Sequence, residues 1–189
     1  IEHIMRSIYK IVVCSLLTLS ITSCEKDLLE KEQYQKEIYL IGAYNRVWTT
    51  EVSYSNEEVK TYFTVSSSGT LALDRDVNVK MKINEELVDI YNKKYWTVLN
   101  EDKYYKSLDT DLYSIPSLEN TVIKHAEGIS AEVPVLIKTA SLKIDQSYVI
   151  PVEIESTTGY PISESGYKML ILLKLKNDYS GSYQMSGHT

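Results

Sequence analysis

Cysteine is nearly absent from the sequence. Only two occur in 189 residues, Cys14 and Cys24, and both lie close to the amino terminus. The rest of the chain therefore has no thiol for a disulfide, a metal site or nucleophilic catalysis. Its fold must be held by a hydrophobic core, and the 43% of hydrophobic residues is enough for one well-packed domain.

Positive charge is also in short supply. The chain has 20 Lys and Arg against 26 Asp and Glu, a formal net charge of −6, and no cluster of basic residues. Nucleic-acid binding depends on neutralising phosphates with such clusters. The composition therefore excludes nucleic acid as a partner.

The amino-terminal hydrophobic segment is too short to cross a membrane. It runs uncharged from Ile11 to Ile21, whereas a helix needs roughly 20 apolar residues to span a bilayer core. It is preceded by a possible start, Met5, and by two basic residues, Arg6 and Lys10. A secretory signal has this order, with a basic region before an apolar region. We expect residues 5–23 to be a cleaved signal peptide.

The end of this segment, Ile21-Thr22-Ser23-Cys24, resembles the lipobox of bacterial lipoproteins. The resemblance implies that the Cys24 thiol is acylated and anchors the mature chain to a membrane. A core helix with a chance cysteine is the alternative. Residues 24–36 form a charged tether, and acidic residues at this place resemble an export signal of Bacteroidetes lipoproteins; an ordinary solvated linker is the other interpretation. We expect an outer-membrane, lipid-anchored protein that faces the cell exterior.

The remaining sequence is typical of β-strands. Residues 76–83 alternate strictly, which places Val77, Val79, Met81 and Ile83 on one buried face. Further strands are predicted at 37–43, 59–65, 132–137, 148–154 and 167–175. Proline cannot donate to a sheet ladder, so Pro134 and Pro151 predict edge strands or bulges at those positions.

One segment is predicted to be helical. Asn84 is a good N-cap, and Leu87, Ile90 and Tyr91 follow at helical spacing. This pattern predicts a short surface helix from Asn84 to Asn92, laid across a strand end. Six or seven short strands with a single helix predict a mainly β protein, a β-sandwich.

Several of these segments, in order, carry a family resemblance. "VNVKMKINEELVDIYN", "YSIP", "NTVIKHAEGISAEVPVLI", "SYVIPVEIES" and "YKMLILLKLKN" together resemble the immunoglobulin-like amino-terminal domain of Bacteroidetes surface lipoproteins, domain-of-unknown-function family 1735. The resemblance implies an immunoglobulin-like sandwich over residues 37–176, with 177–189 beginning a further segment or a truncated second domain. It also implies a non-catalytic module of Sus-like polysaccharide utilisation systems, with glycan-uptake components of the outer membrane as partners. It supplies no residue motif for a site.

Catalytic patterns are weak. Asp109 and Asp111 could supply the paired carboxylates of a glycosidase, but a solvated turn explains them better. His125 and Glu127 fall short of the three protein ligands of a catalytic zinc site. We therefore expect no enzyme, no cofactor and no metal.

Aromatic residues are unusual in kind, with 16 Tyr and 2 Trp against 1 Phe. Tyrosine offers a ring that packs on its face and a hydroxyl that hydrogen-bonds, and such rings stack on the apolar face of a sugar. The richest cluster lies between the helix and the next strand, where loops often carry function. We take Trp96, Tyr95, Tyr104 and Tyr105 from it as a candidate carbohydrate platform. Tyr91 and Tyr113 belong to the same cluster, and Tyr44, Trp48 and Tyr54 form a second group in the loop after the first strand.

Two functions remain open. In the first, a surface lipoprotein binds a glycan through the Trp96 platform. In the second, the sandwich is a structural spacer or an adhesin-like module that positions a carboxyl-terminal functional domain. In that case the aromatic rings only cover the ends of the sandwich and anchor long loops.

The anchor is tested by changing Cys24→Ala. Because acylation needs the thiol, the variant should leave the membrane fraction or accumulate as an unprocessed precursor. Fractionation of cells and the intact mass of the native protein measure both effects. Unchanged membrane partitioning, with no acyl mass on the native protein, would contradict the lipoprotein assignment.

Overall fold

The computed structural model describes residues 31–176, so the predicted signal peptide and Cys24 lie outside the described residues. These residues form ten strands and one α-helix. The strands are β1 Ile38–Leu40, β2 Val47–Ser53, β3 Glu58–Ser67, β4 Val77–Ile83, β5 Lys106–Ser107, β6 Tyr113–Ser114, β7 Thr121–Ile123, β8 Ser130–Lys138, β9 Tyr148–Thr157 and β10 Lys168–Lys176. The helix α1 is Glu86–Tyr95, and short 3-10 turns are found at Ala43–Asn45, Val98–Lys103 and Thr110–Leu112.

The strands form two sheets. The four-stranded sheet has the order β1-β3-β8-β6, and the six-stranded sheet has the order β2-β10-β9-β4-β7, with β5 beside the start of β9. The two inner faces bury one core, which includes Phe63, Val65, Val79, Ile150 and Ile171. The predicted mainly β sandwich is confirmed.

The alternation in β4 is confirmed from Val77 to Lys82, and Ile83, predicted on the buried face, is half-buried. Val77, Val79 and Met81 are almost fully buried, while Asn78 and Lys80 are exposed. Side chains of successive strand residues point to opposite faces, so the polar residues reach water without disturbing the core.

The chain passes from one sheet to the other between β1 and β2. The loop predicted after the first strand, with Tyr44, Trp48 and Tyr54, is wrong at Trp48, because Val47–Ser53 form an edge strand parallel to β10. Their β-branched Val and Thr residues carried the signal for a strand. Gly42, with φ of 89°, makes the crossing turn, and the Trp48 ring packs directly against it. The Leu170 amide then donates to the Arg46 carbonyl oxygen at 2.8 Å, which fixes the start of β2 beside β10.

The two strand prolines fit the sheet in different ways. β6 pairs with β8 only at Leu136 and Ile137, so Pro134 lies where β8 is an open edge, as predicted. Pro151 lies in β9, which is central, so the edge prediction is wrong there. The Pro151 carbonyl accepts from the Asn84 amide at 3.1 Å, so its nitrogen faces the gap between β4 and β5 and no ladder bond is lost. The register shift between β4 and β9 falls opposite Lys80 and Met81 instead.

The helix covers the outer face of the six-stranded sheet. Its residues Leu87 and Val88 pack against Val149 and Leu170, which point away from the main core. The N-cap position of the helix is Glu85 and not the predicted Asn84, but the Asn84 side chain still serves the first turn, since the Glu86 amide donates to Asn84 Oδ1 at 3.2 Å. Of the three residues predicted at helical spacing, Leu87 is buried and Tyr91 half-buried, whereas Ile90 is 52% exposed. None of the helices within residues 31–176 is both long and apolar enough to cross a membrane.

Gly42 offers a stability test with a matched control. A Cβ at Gly42 would lie 2.6 Å from Trp48 Cε3, whereas one at Gly159, with a similar φ of 84°, would lie 3.2 Å from the flexible Arg75 Cδ. Gly159→Ala should cost only the left-handed conformation, about 1 to 2 kcal/mol of the free energy of unfolding. Gly42→Ala should cost a further ~1 to 3 kcal/mol for overpacking.

Denaturant unfolding of the two variants beside the parent measures this difference. Equal losses for Gly42→Ala and Gly159→Ala would mean that Trp48 is not held against the crossing turn.

Candidate functional site

A shallow groove runs between α1 and β10. We call it the helix groove. Its walls include Arg46, Tyr91, Lys94, Tyr95, Lys168 and Leu170. Its volume is about 40 Å³, room for a few waters but too little to enclose a sugar ring. A ligand would therefore lie across the groove and contact its rim.

Three tyrosine rings pack together at one side of the groove. The Tyr91 ring lies 4.5 Å from the Tyr95 ring, centroid to centroid, and 5.2 Å from the Tyr105 ring, which is nearly parallel to it. Tyr95 is 49% exposed, while Tyr91 and Tyr105 are half-buried. Tyr105 thus backs Tyr91, and Tyr91 backs the Tyr95 ring, which presents surface to solvent. We call these three residues the tyrosine stack.

A buried amide places Tyr105 in the stack. Asn92 is 4% exposed; its Nδ2 donates to the Tyr105 carbonyl oxygen and its Oδ1 accepts from the Tyr105 amide, both at 2.9 Å. The pair fixes the backbone of the segment after α1 against the helix. Because Asn92 follows Tyr91 directly, one turn of α1 positions both the Tyr91 ring and the amide that holds the backbone of Tyr105.

The hydroxyl of Tyr91 stays protonated at neutral pH. Burial, and then the neighbouring Tyr105, raise the pKa of Tyr91 to about 12. A protonated phenol can both donate and accept a hydrogen bond. The stack therefore offers neutral polar groups beside apolar ring faces.

The predicted platform residues do not all meet. Tyr95 and Tyr105 come together through Tyr91. Trp96 follows the last residue of α1 and is half-buried, with Lys103 Nζ 5.6 Å from its ring centroid. Its Nε1 is shielded from solvent and has no hydrogen-bond partner among residues 31–176. Tyr104 is half-buried as well, and in the described part of the chain no ring contact joins Trp96 or Tyr104 to the stack.

The other aromatic residues have separate places. Tyr113 lies in β6 of the four-stranded sheet and packs against the main core. Trp48 lies in β2 over Gly42, and the Tyr54 hydroxyl donates to the Ala140 carbonyl oxygen at 2.6 Å. These three rings serve packing and loop anchoring. Tyr44 is 88% exposed and stands alone.

The rim of the helix groove carries positive charge. Arg46 comes from the turn before β2, Lys94 from the last turn of α1 and Lys168 from the start of β10. None of the three forms an ion pair with a carboxylate of residues 31–176. These three cations are not predicted from the sequence, because they come together only through contacts between segments that are distant in the chain. No local sequence pattern indicates that they are neighbours.

The weak catalytic patterns remain turns. Asp109 and Asp111 are exposed; Asp109 precedes the 3-10 turn at Thr110–Leu112 and Asp111 lies within it, on an open cleft of about 550 Å³. His125 Nδ1 lies 2.7 Å from Asp76 Oδ1, and Glu127 pairs with Lys124 at 2.8 Å. In the described part of the chain, no group of three or more His, Cys, Asp or Glu side chains is arranged to hold a metal ion.

The fold has well-defined relatives among solved structures. A multidomain protein of Bacteroides ovatus that includes DUF1735 is 20% identical, with a TM-score of 0.58 over 72% of this chain and 43% of its own length. An auxiliary nutrient binding protein of Bacteroides thetaiotaomicron is 17% identical, with a TM-score of 0.58 over 74% of this chain and 47% of its own. EndoBT-3987 of the same genus, solved with a Man5GlcNAc product, is 20% identical, with a TM-score of 0.53 over 73% of this chain and 30% of its own.

At these identities the likeness is one of fold, and the chain spans less than half the length of each of these three proteins. No curated protein matches the sequence. A family model described as an N-terminal domain matches residues 34–161, about two thirds of the chain. The chain therefore belongs to this family of amino-terminal domains, the Bacteroidetes domain of the DUF1735 type.

Proposed function

We propose that this domain is a non-catalytic glycan-binding module of a surface lipoprotein. The observation that carries the proposal is the tyrosine stack, in which the half-buried Tyr91, backed by Tyr105, holds the half-exposed Tyr95 at the rim of the helix groove. Lipidation of Cys24 would hold the module on the outer membrane, facing outward, beside glycan-uptake components.

The geometry of the stack suits a sugar. A pyranose presents a flat face of C–H groups that packs on an aromatic ring, and its hydroxyls need donors and acceptors at the edge of that ring. Tyr95 supplies a half-exposed ring, with Lys94 Nζ 5.4 Å from its centroid, and Tyr91 contributes a hydroxyl whose pKa is raised to about 12. Because Tyr91 packs on the Tyr95 ring and is itself backed by Tyr105, few side chains have to be ordered on binding, and this favours affinity.

The relatives support a role in glycan handling. EndoBT-3987 was solved with a saccharide product, and another structural relative is an auxiliary nutrient binding protein. Domains of this fold thus occur in proteins that handle saccharides and nutrients.

A structural spacer is the second candidate, and one observation favours it. The chain covers only 30 to 47% of the length of the three relatives described above, so those proteins carry further segments that could hold their activity. A spacer needs no exposed ring at Tyr95. The two candidates therefore differ in whether the isolated domain binds saccharides.

Tyr95→Ala is the direct test of the tyrosine stack. The variant should weaken binding of an oligosaccharide selected on a glycan array by about 1 to 3 kcal/mol, the scale of a lost hot-spot contact. Tyr62→Ala is the matched control, because Tyr62 is 43% exposed but lies in β3 of the four-stranded sheet. Calorimetric titration of both variants gives the affinities.

Equal losses in Tyr95→Ala and Tyr62→Ala would show that the stack is not the site. If the parent domain bound nothing on a broad array, the spacer function would be favoured instead.

Trp96→Ala separates binding from scaffolding. As a half-buried ring, Trp96 should contribute less to stability than the about 3 to 5 kcal/mol of a fully buried Trp. If it extends the platform, affinity should fall by about 1 to 3 kcal/mol. A melting curve and a saccharide titration of the same sample measure both. Collapse of the melting temperature with full retention of binding would assign Trp96 to the scaffold alone.

A further inference from the structure

The charge on the helix groove is opposite to that of the whole chain. The chain has a formal net charge of −6, yet Arg46, Lys94 and Lys168 line the groove and no Asp or Glu does. The rest of its lining is apolar or tyrosine, including Leu87, Ile90 and Leu170. A cationic rim around an apolar floor is a specific local feature of an otherwise acidic protein.

Helix electrostatics explain only part of this charge. Lys93 and Lys94 lie in the last turn of α1, where cations complement the helix dipole. Lys93 suffices for that role and is not part of the groove lining. Arg46 and Lys168 come from other elements, so the helix dipole does not account for their presence.

The two other cations are held in place by the fold. Arg46 has a left-handed backbone with φ of 62°; its amide donates to the Ala43 carbonyl oxygen and its own carbonyl accepts from the Leu170 amide, both at 2.8 Å. Lys168 is half-buried, with its Nζ 4.8 Å from the centroid of the Tyr167 ring. Their backbones are therefore fixed. Neither side chain forms an ion pair with a carboxylate of residues 31–176, although Glu153 lies opposite Lys168 in the register of β9 and β10.

We propose that the helix groove binds an acidic saccharide, one whose sugar units carry a carboxylate or a sulfate ester. This inference rests on the proposed glycan-binding function and names its ligand class. A sugar ring stacks on Tyr95, and its anionic group lies between the three cations. Arg46 can bind a carboxylate or sulfate through two parallel N–H donors, while the two lysines act as point charges.

The test compares acidic saccharides with neutral counterparts of the same shape. Trigalacturonic acid and its methyl ester form the carboxylate pair, and a carrageenan tetrasaccharide and its desulfated form are the sulfate pair. In at least one pair the acidic member should bind about tenfold tighter at low salt, as expected for charge-assisted hydrogen bonds. The preference should shrink as salt rises, because exposed charges are screened. The pair that shows the preference identifies the anionic group.

Charge-removal variants localise the effect. Lys94→Gln and Lys168→Gln should each weaken binding of the acidic member several-fold and change binding of the neutral member clearly less. Lys168→Gln is the cleaner variant, because Lys94 Nζ lies 5.4 Å from the centroid of the Tyr95 ring. Lys60→Gln is the matched control, since it removes the same charge from β3 of the four-stranded sheet, and it should change neither affinity. Melting curves of all three variants exclude loss of folding as the cause.

The outcomes separate this inference from the proposed function. Equal binding of acidic and neutral members, abolished by Tyr95→Ala, would overturn the acidic preference and leave glycan binding intact. If Lys60→Gln lost as much affinity for the acidic member as Lys94→Gln, the attraction would be a diffuse charge effect. This result would also overturn the acidic preference of the helix groove. Absence of binding for all four saccharides, together with silence on the glycan array, would overturn both.

Discussion

The constraint on which the candidate site depends is that β9 and β10 are apolar on both faces. Ile150 and Ile171 fill the core between the sheets, so Val149 and Leu170 must point outward. Strands of this kind need cover on their second face. The helix α1 provides it through Leu87 and Val88, and burial of each such side chain is worth about 1.5 to 3 kcal/mol. The position of α1, and of every tyrosine on it, follows from this second layer of packing.

The sandwich was predictable from the sequence because its strands carry their own signal. The strict alternation of β4, the apolar runs of β9 and β10, and Asn84 before α1 are all local patterns. β2 is missed although its β-branched residues favour a strand, because Tyr44, Trp48 and Tyr54 are grouped as one aromatic loop after the first strand. The central place of Pro151 could not be deduced, since it depends on a gap between two other strands. The sequence therefore predicts local secondary structure well, but it does not predict which strands pair in the sheets.

The site follows the same division. A tyrosine-rich segment was visible, and two of its four chosen residues, Tyr95 and Tyr105, do come together. Tyr91 joins them because helical spacing places it one turn before Tyr95, a relation that the sequence already contained. Arg46 and Lys168 reach the same groove from opposite ends of the chain, and only the sheet brings them there. The preference for tyrosine over phenylalanine is explained at Tyr54, whose hydroxyl donates to the Ala140 carbonyl oxygen, and at the half-exposed Tyr95. It is not explained at Tyr113, whose hydroxyl is buried with no hydrogen-bond partner among residues 31–176.

The central claim is that a saccharide is bound at the tyrosine stack beside α1. The most direct measurement is an NMR titration of the isotope-labelled domain with the best-binding oligosaccharide, read as amide and ring shift changes along the chain. The account predicts changes concentrated at Tyr91, Tyr95, Tyr105 and Lys168, with the four-stranded sheet unaffected. Changes centred on the open cleft around Asp109 and Asp111, or spread without focus over the surface, would contradict it.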